Sequence, residues 1–299
     1  MTPASGGRFA FPALLAGAVG IAFAPILVRL SEVGPTATAF YRIAFALPVL
    51  WLWMRIERRH GPAARVAMSP WVRRALVAAG LLFAADLAVW HHAILFTSVA
   101  NATLLANFSP IYVTLASWWF LDERFRPGFI IGMIMALSGA VVLMGASIGV
   151  SGWHLAGDLL ALVTAGFYAG YLLTVSRLRT NLSAATIMTA SGVVSAAALL
   201  VIAWIHGERF MPATAGGWAV LVALALVSHV GGQGMIAQAL AHLPAAFTAV
   251  GLLLQPVTAA VLAWLILSEP LGVRQAVGAA IVLAGIVLAR FATPERRAA

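Results

Sequence analysis

Asp86 stands near the middle of the apolar stretch 73–96, the position in this chain best placed to do chemistry. A carboxylate at that depth costs a few kcal/mol or more unless it faces water or a partner. Two readings are open: a site that binds a substrate ammonium or carries a proton, or an Asp hydrogen-bonded to a neighbouring helix. His91 and His92 follow on the same stretch, and each reads as a proton relay or as a hydrogen-bonded packing residue. These three side chains lack metal-ligand spacing, so no metal is expected. Arg42, next to Tyr41, is the second charged candidate. Its guanidinium can hold a carboxylate bidentately; the alternative is an interfacial Arg whose head reaches water or phospholipid. His229 and Gln233 are spaced i,i+4 and share a helix face that should look inward. Asn107, Tyr168, Tyr171 and Trp90 also lie inside apolar stretches. Trp90 and Tyr168 are placed to line a cavity for an apolar side chain. The polar members can equally hold helices together. No catalytic set and no phosphate-binding loop accompanies them, so neither catalysis, ATP hydrolysis nor a cofactor is expected.

The elements that position these residues must be membrane helices. The chain is 63% hydrophobic and 9% charged, with a mean hydropathy of +0.99. A soluble domain cannot hide that much apolar surface. Ten stretches are long enough to span a bilayer: 9–30, 37–54, 73–96, 99–120, 128–146, 156–176, 184–206, 217–239, 244–266 and 273–291. Helices satisfy their own backbone in lipid, so the fold class is an all-α polytopic membrane protein of ten transmembrane helices. There is no cysteine, which excludes disulfides and thiolate metal sites. All 18 basic residues are Arg, and 14 of them fall on one side if the N-terminus is cytoplasmic. That bias puts both termini in the cytoplasm. It also explains the net charge of +9 without a nucleic-acid partner.

The chain contains one unit twice, 146 residues apart. With Pro110 set on Pro256, Trp118 falls on Trp264, Glu123 on Glu269, Gly132 on Gly278 and Gly139 on Gly285; Gly20 falls on Gly166. Five spans separate the copies, so they cross the membrane in opposite directions. The expected organisation is two inverted five-helix repeats, residues 1–146 and 147–299, around a central cavity. That cavity should be lined mainly by the first, third, fourth, sixth, eighth and ninth spans. Pro110 and Pro256 read as hinges of the substrate path or as static kinks. Glu123 and Glu269 read as helix-end ion-pair or gate residues. The paired glycines read as a packing device.

The run Asn101 to Pro110, with Asn107-Phe-Ser-Pro at its end, then Leu121-Asp-Glu-Arg124, Gly132 and Gly139, resembles the EamA-type halves of the drug/metabolite transporter superfamily. Gln255-Pro256 and Leu267-Ser-Glu-Pro270 repeat the pattern. Asp122 and Ser268 depart from the Gly usual before the Glu, and Asp86 stands where many members carry His or an apolar residue. The aromatic-rich interior is similar to that of the family's amino-acid exporters. The resemblance implies a multi-pass protein of the bacterial inner membrane, expected as a monomer with lipid around it. It would export small molecules, amino acids or other metabolites including drugs, by alternating access. A membrane-embedded enzyme or an assembly subunit is the alternative from another class.

Overall fold

A computed structural model describes residues 3–60, 69–97, 99–121, 123–144, 152–267 and 271–293, and these form helices joined by short loops, without strands. In chain order the α-helices are α1 (Pro3–Ala22), α2 (Ala24–Arg29), α3 (Pro35–Ala44), α4 (Ala46–His60), α5 (Pro70–Phe96), α6 (Val99–Ala106), α7 (Ser109–Leu121) and α8 (Pro127–Met144). They continue with α9 (Gly152–Leu178), α10 (Ala184–Ile205), α11 (Ala215–Ala223), α12 (Gly234–Ala239), α13 (Ala245–Gly251), α14 (Leu254–Leu267) and α15 (Val273–Ala292). A π-helical stretch, Leu224–Gln233, joins α11 to α12. Among the described residues, eight helical stretches are long and apolar enough to cross a membrane. The two other expected spans, 73–96 and 99–120, coincide with α5 and with α6 plus α7.

Four of the rods are broken, each two to four residues before a proline. The breaks fall at Phe23 before Pro25, Phe45 before Pro48, Asn107–Phe108 before Pro110 and Leu252–Leu253 before Pro256. Proline has no N–H to give the carbonyl four residues back, and its ring clashes with that carbonyl. The helix therefore opens there. The last two breaks are equivalent within one residue under the 146-residue register.

The tightest pairing is α8 against α15, and glycine causes it. A Cβ on Gly132 would lie 2.5 Å from the Ala289 nitrogen, and one on Gly285 2.5 Å from the Ala136 nitrogen. A Cβ on Gly139 would lie 2.6 Å from the Val282 nitrogen, and one on Gly278 would meet the Leu143 nitrogen. Adding 146 turns Ala136 into Val282 and Leu143 into Ala289, so every contact has its image. The helices run antiparallel and meet through the same face of each copy. This is the geometry of a two-fold contact within one chain.

Elsewhere α5 packs along α9, and α10 packs against α3, α4 and α5. Helix α1 lies on the π-helical stretch backbone to backbone: a Cβ on Gly20 would sit 2.9 Å from the Gly232 Cα. Gly166, its sequence match, has no atom nearer than 3.8 Å, so the two glycines do not share one packing need.

At one end of the bundle two loops exchange carboxylates. Glu32, after α2, accepts from the Ala213 and Thr214 N–H groups at 2.7 and 2.9 Å, at the start of α11. Glu208, after α10, accepts from the Ala37 N–H in the first turn of α3 at 2.8 Å. Helix N-termini carry unpaired donors and a positive dipole end, so each carboxylate closes the other loop's helix. The Thr214 hydroxyl and the two N–H groups hold Glu32 below the usual carboxylate range.

Candidate functional site

Three of the four helix breaks converge. A cavity of about 110 Å³ has the α1–α2 break (Ala22, Ala24, Pro25) on one wall and the α6–α7 break (Ala106, Asn107, Ser109) on another. The α13–α14 break (Leu252, Gln255, Pro256) forms a third wall, and Gln233 enters from the end of the π-helical stretch. Opened backbone inside a membrane protein is tolerated where it lines a cavity. Discontinuous helices around a central site are a recurring transporter device.

Helix α5 supplies Phe83, Asp86, Leu87 and Trp90. Their spacing of i, i+3, i+4 and i+7 puts them on one helix face. Helix α9 adds Thr164 and Tyr168, and α3 adds Arg42. Arg42 is 5% exposed and Asp86 8% exposed, so both charges are inside the protein. Arg42 stands seven residues into its helix rather than at its mouth, and it does not reach up to a surface. Both line the one cavity. No direct ion pair or hydrogen bond joins them among the described residues.

Among the described residues, several other lining groups lack a well-formed hydrogen bond: the hydroxyls of Tyr168, Thr103 and Thr164, both atoms of the Gln233 amide, which stands beside the Tyr168 and Tyr171 hydroxyls, and the Arg42 Nε. Buried polar groups normally find partners. Here their capacity is directed at whatever fills the cavity, water or solute. Asn107 is half committed: its Nδ2 donates to the Thr103 carbonyl at 2.7 Å, which turns Oδ1 elsewhere.

Of the residues singled out in the sequence, the cavity brings together Arg42, Asp86, Trp90, Asn107, Tyr168, Gln233 and Pro256. Tyr171 and His229 lie one layer back, their rings 4.7 and 5.5 Å from that of Phe83. The π-helical winding changes the angle between positions i and i+4, and Gln233 reaches the cavity where His229 does not. Tyr41 belongs to an aromatic cluster with Phe45 and Trp218, at 5.1 and 5.6 Å, away from the lining. Pro110 is buried behind its break, and Glu123 follows the end of α7. Glu269 lies outside the described residues, as do Asp122 and Ser268. His91 holds the Leu87 carbonyl through Nδ1 at 2.6 Å, and it lines a second pocket with Arg29 and Thr38 that shares Pro25 and Trp90 with the cavity. The sequence reading missed Phe83 and Thr164. Phe83 was accessible from its place one turn before Asp86.

The sequence pattern of the EamA-like transporter family matches twice, over residues 8–145 and 155–291. The chain belongs to the EamA-like transporter family. It is a transporter, not an enzyme, and a multi-pass membrane protein. An uncharacterized transporter of Archaeoglobus fulgidus is 26% identical to it over 272 residues, covering 88% of this chain and 90% of that one. The pseudopaline exporter CntI of Pseudomonas aeruginosa is 28% identical over 282 residues, covering 93% of this chain and 95% of the exporter. One solved crystal structure of a protein superposes with a TM-score of 0.77 at 21% identity, covering 96% of this chain and 98% of that one, which shows a shared fold.

Proposed function

We propose that this transporter exports amino acids, aromatic and other neutral ones, across the bacterial inner membrane by alternating access, with both termini cytoplasmic. Ten spans would form two inverted repeats, residues 1–146 and 147–299. The reciprocal glycine contacts of α8 and α15 support that symmetry, as do the equivalent breaks before Pro110 and Pro256.

The observation that carries the substrate class is the separation of Arg42 from Asp86 on the walls of one cavity. A zwitterion presents a carboxylate and an ammonium at once. Arg42 matches the first and Asp86 the second, and binding would give each buried charge the partner it lacks in the protein. Trp90, Phe83 and Tyr168 supply the aromatic wall for a side chain. Drug-sized pockets start near roughly 300 Å³. A cavity of about 110 Å³ suits a smaller solute. Export of other metabolites is the second reading, favoured by the relative named as a pseudopaline exporter.

Counterflow in proteoliposomes, run across the amino acids and their decarboxylated or N-acylated analogues, tests this. Saturable exchange of the zwitterions is expected, with both analogue classes poor. A charge-assisted hydrogen bond contributes about 1.5–3 kcal/mol. Arg42→Gln and Asp86→Asn should therefore each raise half-saturation roughly tenfold to a hundredfold. Absence of saturable flux for every amino acid would overturn the substrate class.

A further inference from the structure

A second hollow lies on the flank of the bundle, away from the cavity, between the starting end of α5 and the finishing ends of α7 and α9. Its volume is about 350 Å³. Its lining is arranged in two levels. Trp71, Arg74, Phe120 and Arg177 form the level at the helix ends. One to two turns further in come Ala78, Ala116 and Leu173. Trp71 and Ala78 are seven residues apart on α5, so the hollow runs about 10 Å along the helices.

Trp71 is 51% exposed and Phe120 75% exposed, and Arg74 and Arg177 are exposed as well. Neither arginine pairs with a carboxylate among the described residues. Aromatic side chains at this level mark the boundary between headgroups and hydrocarbon. The small alanines below them leave an apolar slot open to the bilayer side. Two guanidiniums without a carboxylate partner among the described residues, set over an apolar slot, complement a molecule with a phosphate at one end and a hydrocarbon chain at the other.

We infer that this hollow is a binding site for an anionic phospholipid, with its phosphate between Arg74 and Arg177 and one acyl chain along Ala78, Ala116 and Leu173. Guanidiniums bind phosphate oxygens in a planar fork. Basic pockets between membrane helices select anionic headgroups. A free phosphate would satisfy the arginines alone and leave the slot without an occupant. A phospholipid fills both levels. The site is independent of the transported solute and of the reading of the central cavity.

The test uses the full chain, purified in detergent and stripped of lipid. Its thermal unfolding midpoint is measured with added phosphatidylglycerol, phosphatidylethanolamine or inorganic phosphate, and native mass spectrometry counts the lipids retained. Phosphatidylglycerol should raise the midpoint and be retained in preference to phosphatidylethanolamine, while inorganic phosphate should have no effect. The double variant Arg74→Gln/Arg177→Gln should lose roughly 30-fold in phosphatidylglycerol affinity. Ala78→Leu, which keeps both arginines and fills the slot, should also weaken it, so a misfolded double variant would not leave the question open. Arg274→Gln, an exposed arginine at the start of α15 and outside the lining, should leave binding unchanged. Equal retention of the two lipids would overturn the proposal. So would undiminished phosphatidylglycerol binding by the double variant, or by Ala78→Leu if the double variant does not fold. An inorganic phosphate effect as large as that of the lipid would make it a plain anion site and overturn it too.

Discussion

At the scale of single residues, the polar groups of the interior divide by where their hydrogen bonds go. The Ser195 hydroxyl donates to the Gly80 carbonyl at 2.7 Å and ties α10 to α5. The Tyr168 hydroxyl, on the cavity wall beside the Gln233 amide, makes no well-formed hydrogen bond among the described residues. A typical hydrogen bond contributes about 0.5–1.5 kcal/mol. Tyr168→Phe is therefore expected to leave the unfolding midpoint unchanged and to raise half-saturation in flux assays roughly two- to tenfold. Ser195→Ala is expected to lower the midpoint and leave half-saturation alone. A midpoint that falls in Tyr168→Phe with flux unaltered would make the tyrosine a packing residue. The same division explains what the sequence reveals of the site. Asp86 and Arg42 are legible because charge inside an apolar stretch is costly anywhere along it. Thr164 is an ordinary residue there, and only the shape of the assembled walls marks it; Phe83 is set apart only by standing one turn before Asp86. Tyr41 was drawn in by its neighbour, but adjacent positions on a helix face different ways.

At the scale of elements, glycine decides where helices touch. Gly285→Leu places a side chain where even a Cβ would lie 2.5 Å from the Ala136 nitrogen and 2.6 Å from the Gly132 carbonyl. Backbone cannot yield as a flexible side chain can, and overpacking of this kind costs about 1–3 kcal/mol or more. The expected result is a lower unfolding midpoint in detergent and a fall in folded yield. Gly166→Ala is the opposite case. Its Cβ would meet only Tyr112 ring atoms at 3.8 Å, and replacing a helical Gly with Ala removes a backbone entropy cost of about 0.5–1 kcal/mol. A midpoint unchanged or raised in Gly166→Ala and lowered in Gly285→Leu would fit. Equal losses in both would sink the argument. The rods and the proline breaks were readable from hydropathy and chain chemistry. The π-helical stretch was not, because the sequence Leu224–Gln233 carries no proline and its widened turn follows from packing on α1.

At the scale of the whole molecule, the two copies differ where symmetry would make them alike. Helix α13 and the residues after it, through Leu253, are buried without exception. Helix α6 is its counterpart under the 146-residue register. Ala102 is buried there, but Thr103, Leu104, Leu105 and Ala106 are half-buried, and Thr103 and Ala106 line the cavity. In α13 the Phe247 ring lies 5.9 Å from that of Phe11, with the Arg290 guanidinium over both. In the inverted arrangement proposed above α6 and α13 would sit at opposite faces, and their unequal burial would then correspond to a protein closed at the α13 face and looser at the α6 face. Alternating access would exchange the two environments. The absence of cysteine makes this measurable with single introduced thiols. Thr103→Cys and Ala249→Cys are register partners. In the conformation described, an impermeant thiol reagent applied at the α6 face should label Thr103→Cys, and Ala249→Cys should resist reagent from either side. Conditions that drive the transporter to its other state should slow the first and expose the second at the opposite face. Labelling of the two positions that rises and falls together would exclude an exchange of environments. Reciprocal changes would tie the duplicated sequence directly to the transport cycle.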